Sequence, residues 1–407
     1  MIPRAWIKSL VFSDGSNISL NNDDVVVIVG PNNSGKSAAL RAIRLMTEDP
    51  AQLTPVISEL ELMKSGSADD LIAWLDETAG DTTATENPTY QFFGASVRRD
   101  NIPNLWSQKR LPNLSRYFCH LLTASERLIA ASPAKAIAIT TQSPTHAIHY
   151  LQRDDSIETR LSKQFHRAFG ADLIVHRNAG SEVPLYVGKR PVPAPGQDRV
   201  SRDYVLQLEK LPELKNQGDG MRSFAGVLLE ASVGRESILL VDEPEAFLHP
   251  PQARQLGRML VEEKSSDRQL FLATHSGDFL RGVLDSNSKC ITVVRISRAG
   301  DANAIRRLDN NEVQTLWSDP LLRYSNVLDG LFHESVIVTE SDSDARFYSA
   351  IMDALFSSDD SGNARPDTMF TNGGGKSRLP LIVSALRRVG VPVRKRSMAA
   401  GFSRRRL

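Results

Sequence analysis

Apolar and polar positions alternate at the start of the chain. Ile7 to Phe12 and Asn17 to Leu20 read as short strands. Asp24-Val25-Val26-Val27-Ile28-Val29 is a β-branched run, the pattern of a strand buried on both faces. Gly30 opens a loop, and Ser37 to Met46 has helical spacing. The order is strand, Gly-rich loop, helix.

The stretch from 51 to 200 is less regular. Helical periodicity runs through Leu60 to Thr78, Tyr117 to Leu128 and Gln152 to Phe169. Asp81 to Arg99 suggests short strands or loop, and Ala171 to Val187 suggests a hairpin around Asn178-Ala179-Gly180. Val192 to Gly196, VPAPG, reads as a turn-rich linker. The whole stretch is expected to be an insertion with a helical arm. Helix and strand then alternate: Ile238 to Val241, Gln269 to Thr274 and Ile291 to Ile296 as strands, Pro251 to Lys264 as a helix. That βαβ rhythm predicts an α/β fold with a mostly parallel sheet. A second α/β unit starts near 333, with a strand at Ser335 to Thr339 and a helix at Ser343 to Leu355.

Composition narrows the class. Hydrophobic residues at 41% and charged residues at 24% exclude a disordered chain. A net charge of +1 gives no overall electrostatic case for nucleic acid, although Arg394 to Leu407 carries six Lys/Arg and no acid. Cys119 and Cys290 stand far apart, which excludes a disulfide scaffold and fits a reducing cytosol. No signal-peptide run and no apolar span of membrane length is seen. A cytoplasmic protein without a membrane partner is expected.

Three segments carry chemistry. Gly30-Pro31-Asn32-Asn33-Ser34-Gly35-Lys36-Ser37 fits G-x-x-x-x-G-K-[ST] between a strand and a helix. Its glycines let backbone N–H groups converge on phosphates, Lys36 supplies a charge for the β/γ-phosphates, and the Ser37 hydroxyl is placed for Mg²⁺. ATP and Mg²⁺ are therefore the expected ligands. Ile238-Leu239-Leu240-Val241-Asp242-Glu243 delivers two acids at a strand end. Asp242 is expected in the Mg²⁺ shell, and Glu243 as the group that orients and deprotonates an attacking water. Phe271-Leu272-Ala273-Thr274-His275-Ser276 is a second apolar strand with a polar end, where His275 is a candidate for the γ-phosphate or the water.

GPNNSGKS at 30–37, LLVDEPEAFLHP at 239–250 and ATHS at 273–276 together resemble the ABC-type ATPases. Within them the resemblance is to the SMC and overcoming-lysogenisation-defect (OLD) branch, often labelled AAA-15. It implies an ABC/SMC-like core over 1–50 and 205–310, with 51–204 inserted, and a head-to-head homodimer holding two ATPs. It also implies a segment that reaches the partner's ATP, here Gln217-Gly218-Asp219-Gly220-Met221-Arg222, with Gly218 and Gly220 as phosphate contacts. Gly218 stands where a Ser is usual, which leaves backbone N–H groups as the contact and puts dimer-driven hydrolysis in question. Ser125-Glu126-Arg127 resembles a segment of the OLD middle region to which no role is assigned.

Residues 333–393 resemble the start of a TOPRIM domain. Glu340 ends the strand, Asp344 follows it, and Gly373-Gly374-Gly375-Lys376 suits the loop after the next strand. The resemblance makes Glu340 and Asp344 candidate metal ligands, but no Asp or Glu occurs after Asp367, and two-metal cleavage needs more carboxylates. The reading is an incomplete TOPRIM-like unit, with 394–407 a basic tail that suggests a truncation or a shifted frame. The leading expectation is a DNA-associated ATPase of the OLD type, in defence against mobile DNA or in DNA repair. A metal-dependent DNA endonuclease, a non-hydrolysing ATP-gated dimer switch acting on a partner protein, and a transporter subunit are the alternatives.

Overall fold

The strands expected at the start form where alternation is cleanest. In the computed structural model the described residues are 2–49, 51, 52, 54–78, 88–92, 95–139, 142–286, 288–299, 302–308, 310–318, 326–357 and 365–395. The tail from 396 and residues 81–87 lie outside them. Two compact units result: Met1–Val26, Ser37–Thr274 and Asp278–Cys290 form the first, and Val27–Lys36, His275–Gly277 and Ile291–Leu407 the second.

In the first unit β1 (Arg4–Phe12) buries Ala5, Ile7, Leu10 and Phe12 and pairs antiparallel with β2 (Asn17–Ser19). The next strand, β3 (Val25–Val29), has its first two residues in this unit and its last three in the second, and is buried at every position. It begins between two neighbours: Val25 N–H donates to Cys290 O, and Asp24 O accepts from Leu270. Helix α1 (Lys36–Glu48) follows the loop.

Two sequence expectations fail in the next stretch. Leu60 to Ser65 is not helical; it belongs to β4 (Ile57–Ser65), which pairs antiparallel with β1 along nearly its full length. The helix starts only at α2 (Ala68–Thr78), behind a Ser67 whose hydroxyl and N–H bond Asp70. Strands β5 (Thr89–Phe92) and β6 (Ala95–Arg98) form a hairpin. Helices α3 (Ile102–Ser107) and α4 (Ser115–Phe118) then close a core of Leu71, Leu75, Tyr90, Ile102, Leu114 and Phe118. Within the expected helix Tyr117 to Leu128, residues Cys119–Leu122 are instead strand β7. A short apolar run has no period of its own, and a ready edge decides its state.

Helix α5 (Ala124–Ala130) starts at a capping box in which Thr123 and Glu126 bond each other's backbone N–H. After β8 (Ala134–Lys135) come α6 (Ala147–Arg153) and α7 (Asp155–Phe169), separated at Asp154, whose carboxylate caps α7. The expected hairpin is present as β9 (Asp172–Val175) against β11 (Leu185–Gly188), while β10 (Glu182–Val183) pairs with β8. Helices α8 (Arg202–Leu208) and α9 (Asp219–Val233) follow; α9 is buried on nearly every side. Then β12 (Ile238–Asp242), α10 (Pro250–Glu262), β13 (Gln269–Ala273) and α11 (Gly277–Asp285) complete a βαβ run. β12 lies parallel between β13 and β7, so a strand from the 51–204 stretch sits in the central sheet.

In the second unit β14 (Ile291–Ala299) pairs antiparallel with β15 (Ala302–Leu308), followed by α12 (Asn310–Ser318). A parallel three-stranded sheet comes next: β16 (Ser335–Thr339) between β17 (Thr368–Asn372) and β18 (Val393–Lys395). The crossovers are α13 (Asp342–Ser357) and α14 (Leu379–Arg388). Arg295, buried in β14, donates to the carbonyls of Leu331, His333 and Gly390, which lie in the segments leading into β16 and β18. Burial pulls its pKa down to about 10.

Candidate functional site

β3 is sealed on both faces and delivers the chain to Gly30 at φ 149°. A Cβ there would stand 2.0 Å from the Ile296 carbonyl oxygen and 2.8 Å from Ser34 Oγ, so only glycine fits. Gly35 at φ 100° and Asn33 at φ 60° complete the curl; asparagine tolerates the left-handed region. Lys36 is buried, and its Nζ donates to the carbonyls of Gly30 (2.9 Å) and Pro31 (2.8 Å), which closes the loop on itself. The Ser34 hydroxyl is buried and meets no hydrogen-bond partner among the described residues. Asn32 and Asn33 face solvent. The loop thus holds an unsatisfied hydroxyl in its interior and a buried lysine amine folded onto its own carbonyls, features suited to an anion.

Ser37, the next residue, belongs to the first unit. Its Oγ donates to Asp242 Oδ1 at 2.9 Å, across 205 positions of sequence. Asp242 ends the buried strand β12. Burial pushes its carboxyl up; the Ser37 bond opposes this, Glu243 adds to it, and Arg41 and Arg127 oppose it. Two neighbouring ligands of an octahedral Mg²⁺, each at about 2.0–2.1 Å, stand about 2.9 Å apart. The hydroxyl and carboxylate oxygens therefore fit that ion.

Glu243 adopts φ 47°, a conformation rare for a residue with a side chain. Its N–H donates to Ala273 O and its carbonyl accepts from Ala246 N–H, each at 2.9 Å. Glu245 is buried and accepts from Thr274 Oγ1 at 2.7 Å. The residue after that threonine, His275, is exposed and lies in the second unit with the phosphate loop.

Gly218 caps α9 from its N-terminal side with extended backbone and no side-chain bond. Gly220 follows in the first turn, where a Cβ would come within 2.7 Å of Phe247 O. The expected phosphate-contact segment therefore opens a helix, as anion contact requires, and packs on the turn that follows the paired acids.

Glu340 and Asp344 do not gather a ligand set. Glu340 follows β16 directly, with Lys376 Nζ 3.9 Å from its Oε2, and its carbonyl accepts from Gly375 N–H. Asp344 is used as a cap: its Oδ2 accepts from Ser341 N–H, and its own N–H donates to Ser341 Oγ. Among the described residues no group of three or more His, Cys, Asp or Glu is placed to hold a metal ion.

Sequence reasoning assigned no role to Glu245 or Arg127. Glu245 was readable as the second glutamate of DEPE, two positions after Glu243. Arg127 is fully buried, and its Nη1 donates to the Asp242 carbonyl at 2.6 Å. Burial lowers its pKa against the pull of Glu245, Asp242 and Glu243. Its local sign was the Ser125-Glu126-Arg127 segment on the helix after β7, whose resemblance carried no role.

Residues 137–281 match the family model of an AAA domain. Its full description is "AAA domain, putative AbiEii toxin, Type IV TA system". The matched stretch contains Gly218, Asp242, Glu243 and His275; residues 30–37 precede it. An uncharacterised protein of Methanocaldococcus jannaschii is 34% identical over 73 residues, which are 18% of this chain and 64% of that protein. The chain thus spans less than two thirds of that relative's length. Among solved structures, the head domain of an SMC protein bound to the C-terminal winged-helix domain of ScpA aligns at 12% identity and a TM-score of 0.46, covering 76% of this chain and 99% of that one. The SMC head domain from Thermotoga maritima aligns at 14% identity and a TM-score of 0.37, over 76% and 100%. No helix among the described residues is long and apolar enough to cross a membrane.

Proposed function

We propose that this chain is a Mg²⁺-dependent ATPase of the OLD type that acts on DNA as a homodimer. The observation that carries the ATPase reading is the 2.9 Å bond between Ser37 Oγ and Asp242 Oδ1. It joins the last residue of the phosphate-loop motif to the first acid of the strand-end pair. The loop backbone binds the phosphates, and Lys36 exchanges its carbonyl partners for phosphate oxygens. Ser37 and Asp242 hold the metal, which supplies charge neutralisation on the phosphates when bound. Glu243 holds the attacking water in line and takes its proton. His275 contacts the γ-phosphate or that water. The second copy adds Gly218 and Gly220 at the head of its α9, with backbone N–H groups as phosphate donors. The DNA assignment rests on sequence motifs, and residues 333–393 are read as an incomplete TOPRIM-like unit without cleavage activity of its own.

Two variants test this. Lys36→Ala should lose ATP binding, and Glu243→Gln should keep binding while phosphate release falls to background. Turnover by Glu243→Gln at the wild-type rate defeats the assignment of Glu243. A second reading, an ATP-gated dimer that does not hydrolyse, is favoured by Gly218, which caps α9 without any side-chain group. A dimer that assembles with ATP and releases no phosphate would support it over the first.

A further inference from the structure

Helix α5 carries a guanidinium into the interior with fewer partners than it can use. Arg127 is 0% exposed, and its Nε and Nη2 meet no hydrogen-bond partner among the described residues. A fully buried arginine left part-satisfied is costly, so its one strong bond deserves an explanation. That bond runs from Nη1 to the Asp242 carbonyl at 2.6 Å.

The Asp242 carbonyl belongs to the peptide that leads into Glu243. Glu243 sits at φ 47°, which an L-residue holds only when its surroundings over-determine it. Three bonds hold its backbone among the described residues: Arg127 on the carbonyl before it, its own N–H on Ala273 O, and Ala246 N–H on its carbonyl. Two of these come from the strand-and-turn backbone. The third comes from a side chain 115 positions away.

The other side of Arg127 touches α9. A Cβ on Gly226 would stand 2.1 Å from the Arg127 carbonyl oxygen and 2.8 Å from its carbon. α5 and α9 therefore meet backbone to backbone, and glycine at 226 permits it. Gly218, at the head of this same α9, is the position expected to meet the second copy's ATP. One residue thus rests on that helix with its backbone and holds the Asp242–Glu243 peptide with its side chain.

We propose that Arg127 is a positioning residue for hydrolysis, fixing the Asp242–Glu243 peptide and passing displacement of α9 to Glu243. The proposal rests on the ATPase reading above for its effect on turnover, and on geometry alone for its effect on the peptide. Arg127→Met, Arg127→Lys and Gly226→Ala in the full chain test it through Mg-ATP titration, steady-state kinetics and hydrogen exchange over residues 242–248.

Arg127→Met should lower kcat at least tenfold while ATP affinity and KM stay within about threefold. Arg127→Lys should recover much of the loss, because an ammonium can still donate to one carbonyl. Gly226→Ala should lower kcat in the same direction from the α9 side. Exchange at the Glu243 amide should quicken in Arg127→Met with the remaining core unchanged. Wild-type kcat in Arg127→Met overturns the proposal. So does a loss of kcat, ATP affinity and melting temperature together in all three variants, which marks a structural residue. If the wild-type protein binds Mg-ATP but never turns it over, the ATPase reading fails and exchange alone decides. Faster exchange at Glu243 then supports the positioning role, and unchanged exchange overturns it.

Discussion

Ser37 and Asp242 can be tested directly because their contact is both long-range and specific. The perturbation is a cycle: Ser37→Ala, Asp242→Ala and the double variant, measured first without Mg²⁺ or nucleotide. Asp242→Ala leaves the backbone carbonyl that Arg127 uses. A hydroxyl bonded to an ionised carboxylate is worth about 1.5–3 kcal/mol. Both side chains are half-buried, and burial raises the Asp242 pKa, so the lower end, about 1.5 kcal/mol, is expected. Ser37→Ala should therefore cost about 1.5 kcal/mol when Asp242 is present and close to nothing when it is absent. Asp242→Ala alone should cost little, because it also relieves burial and the charge of Glu243. The assay is urea unfolding, reading the midpoint at constant m. With Mg-ATP added, wild type should gain stability as RT ln(1 + [L]/Kd), and both single variants should lose most of that gain. Additivity of the two substitutions within about 0.5 kcal/mol would refute the contact, and with it the observation on which the function rests.

Two further predictions concern buried carboxylates in the first unit. Glu158 is fully buried and takes Arg177 at 2.9 Å, Arg190 at 2.8 Å and Arg199 at 2.6 Å. Glu158→Gln should cost about 3–5 kcal/mol in urea unfolding, and a loss below about 1 kcal/mol would place the cluster with surface pairs. Burial alone would raise the Glu158 pKa, but the arginines outweigh it and hold the carboxyl below its usual range. Its stabilisation is complete above the unfolded value of about 4.3 and is lost as pH falls through the lower folded value, so the variant's deficit should shrink only in acid. Glu230 is the opposite case, with burial pushing its pKa up to about 7. Below about pH 4.3 it is protonated in both states; above that its ionisation increasingly favours unfolding, up to pH 7. Glu230→Gln should gain on the order of 3 kcal/mol above pH 7 and nothing below pH 4, read as melting temperatures across that range. A gain that does not change with pH would count against the shift.

The parts of the site that were legible in the sequence are those whose chemistry is set by the local backbone. Gly30 and Gly35 take conformations that only glycine adopts freely, so their spacing survives as a motif. Val25–Val29 and Ile238–Val241 are buried on both faces, and an unbroken apolar run announces that. The parts that were not legible are defined by contacts across the chain. Cys119–Leu122 is a strand because β12 offers an edge to pair with, and the run by itself suits a helix equally well. Leu60 to Ser65 is a strand because β1 lies beside it. Arg127 and Glu245 follow the same rule at the level of side chains. Neither changes the local pattern, and each acquires meaning only from Asp242 or Thr274. Glu243 stands between the two cases. Its identity was legible from the acidic pair, but its φ of 47° was not, because no glycine marks the position. That conformation needs support from outside its own segment, and the residue that supplies it from a distance is the one the motifs left without a role. A strained acid beside an arginine to which no role was assigned is therefore a better guide to the geometry of the strand end than either residue read alone.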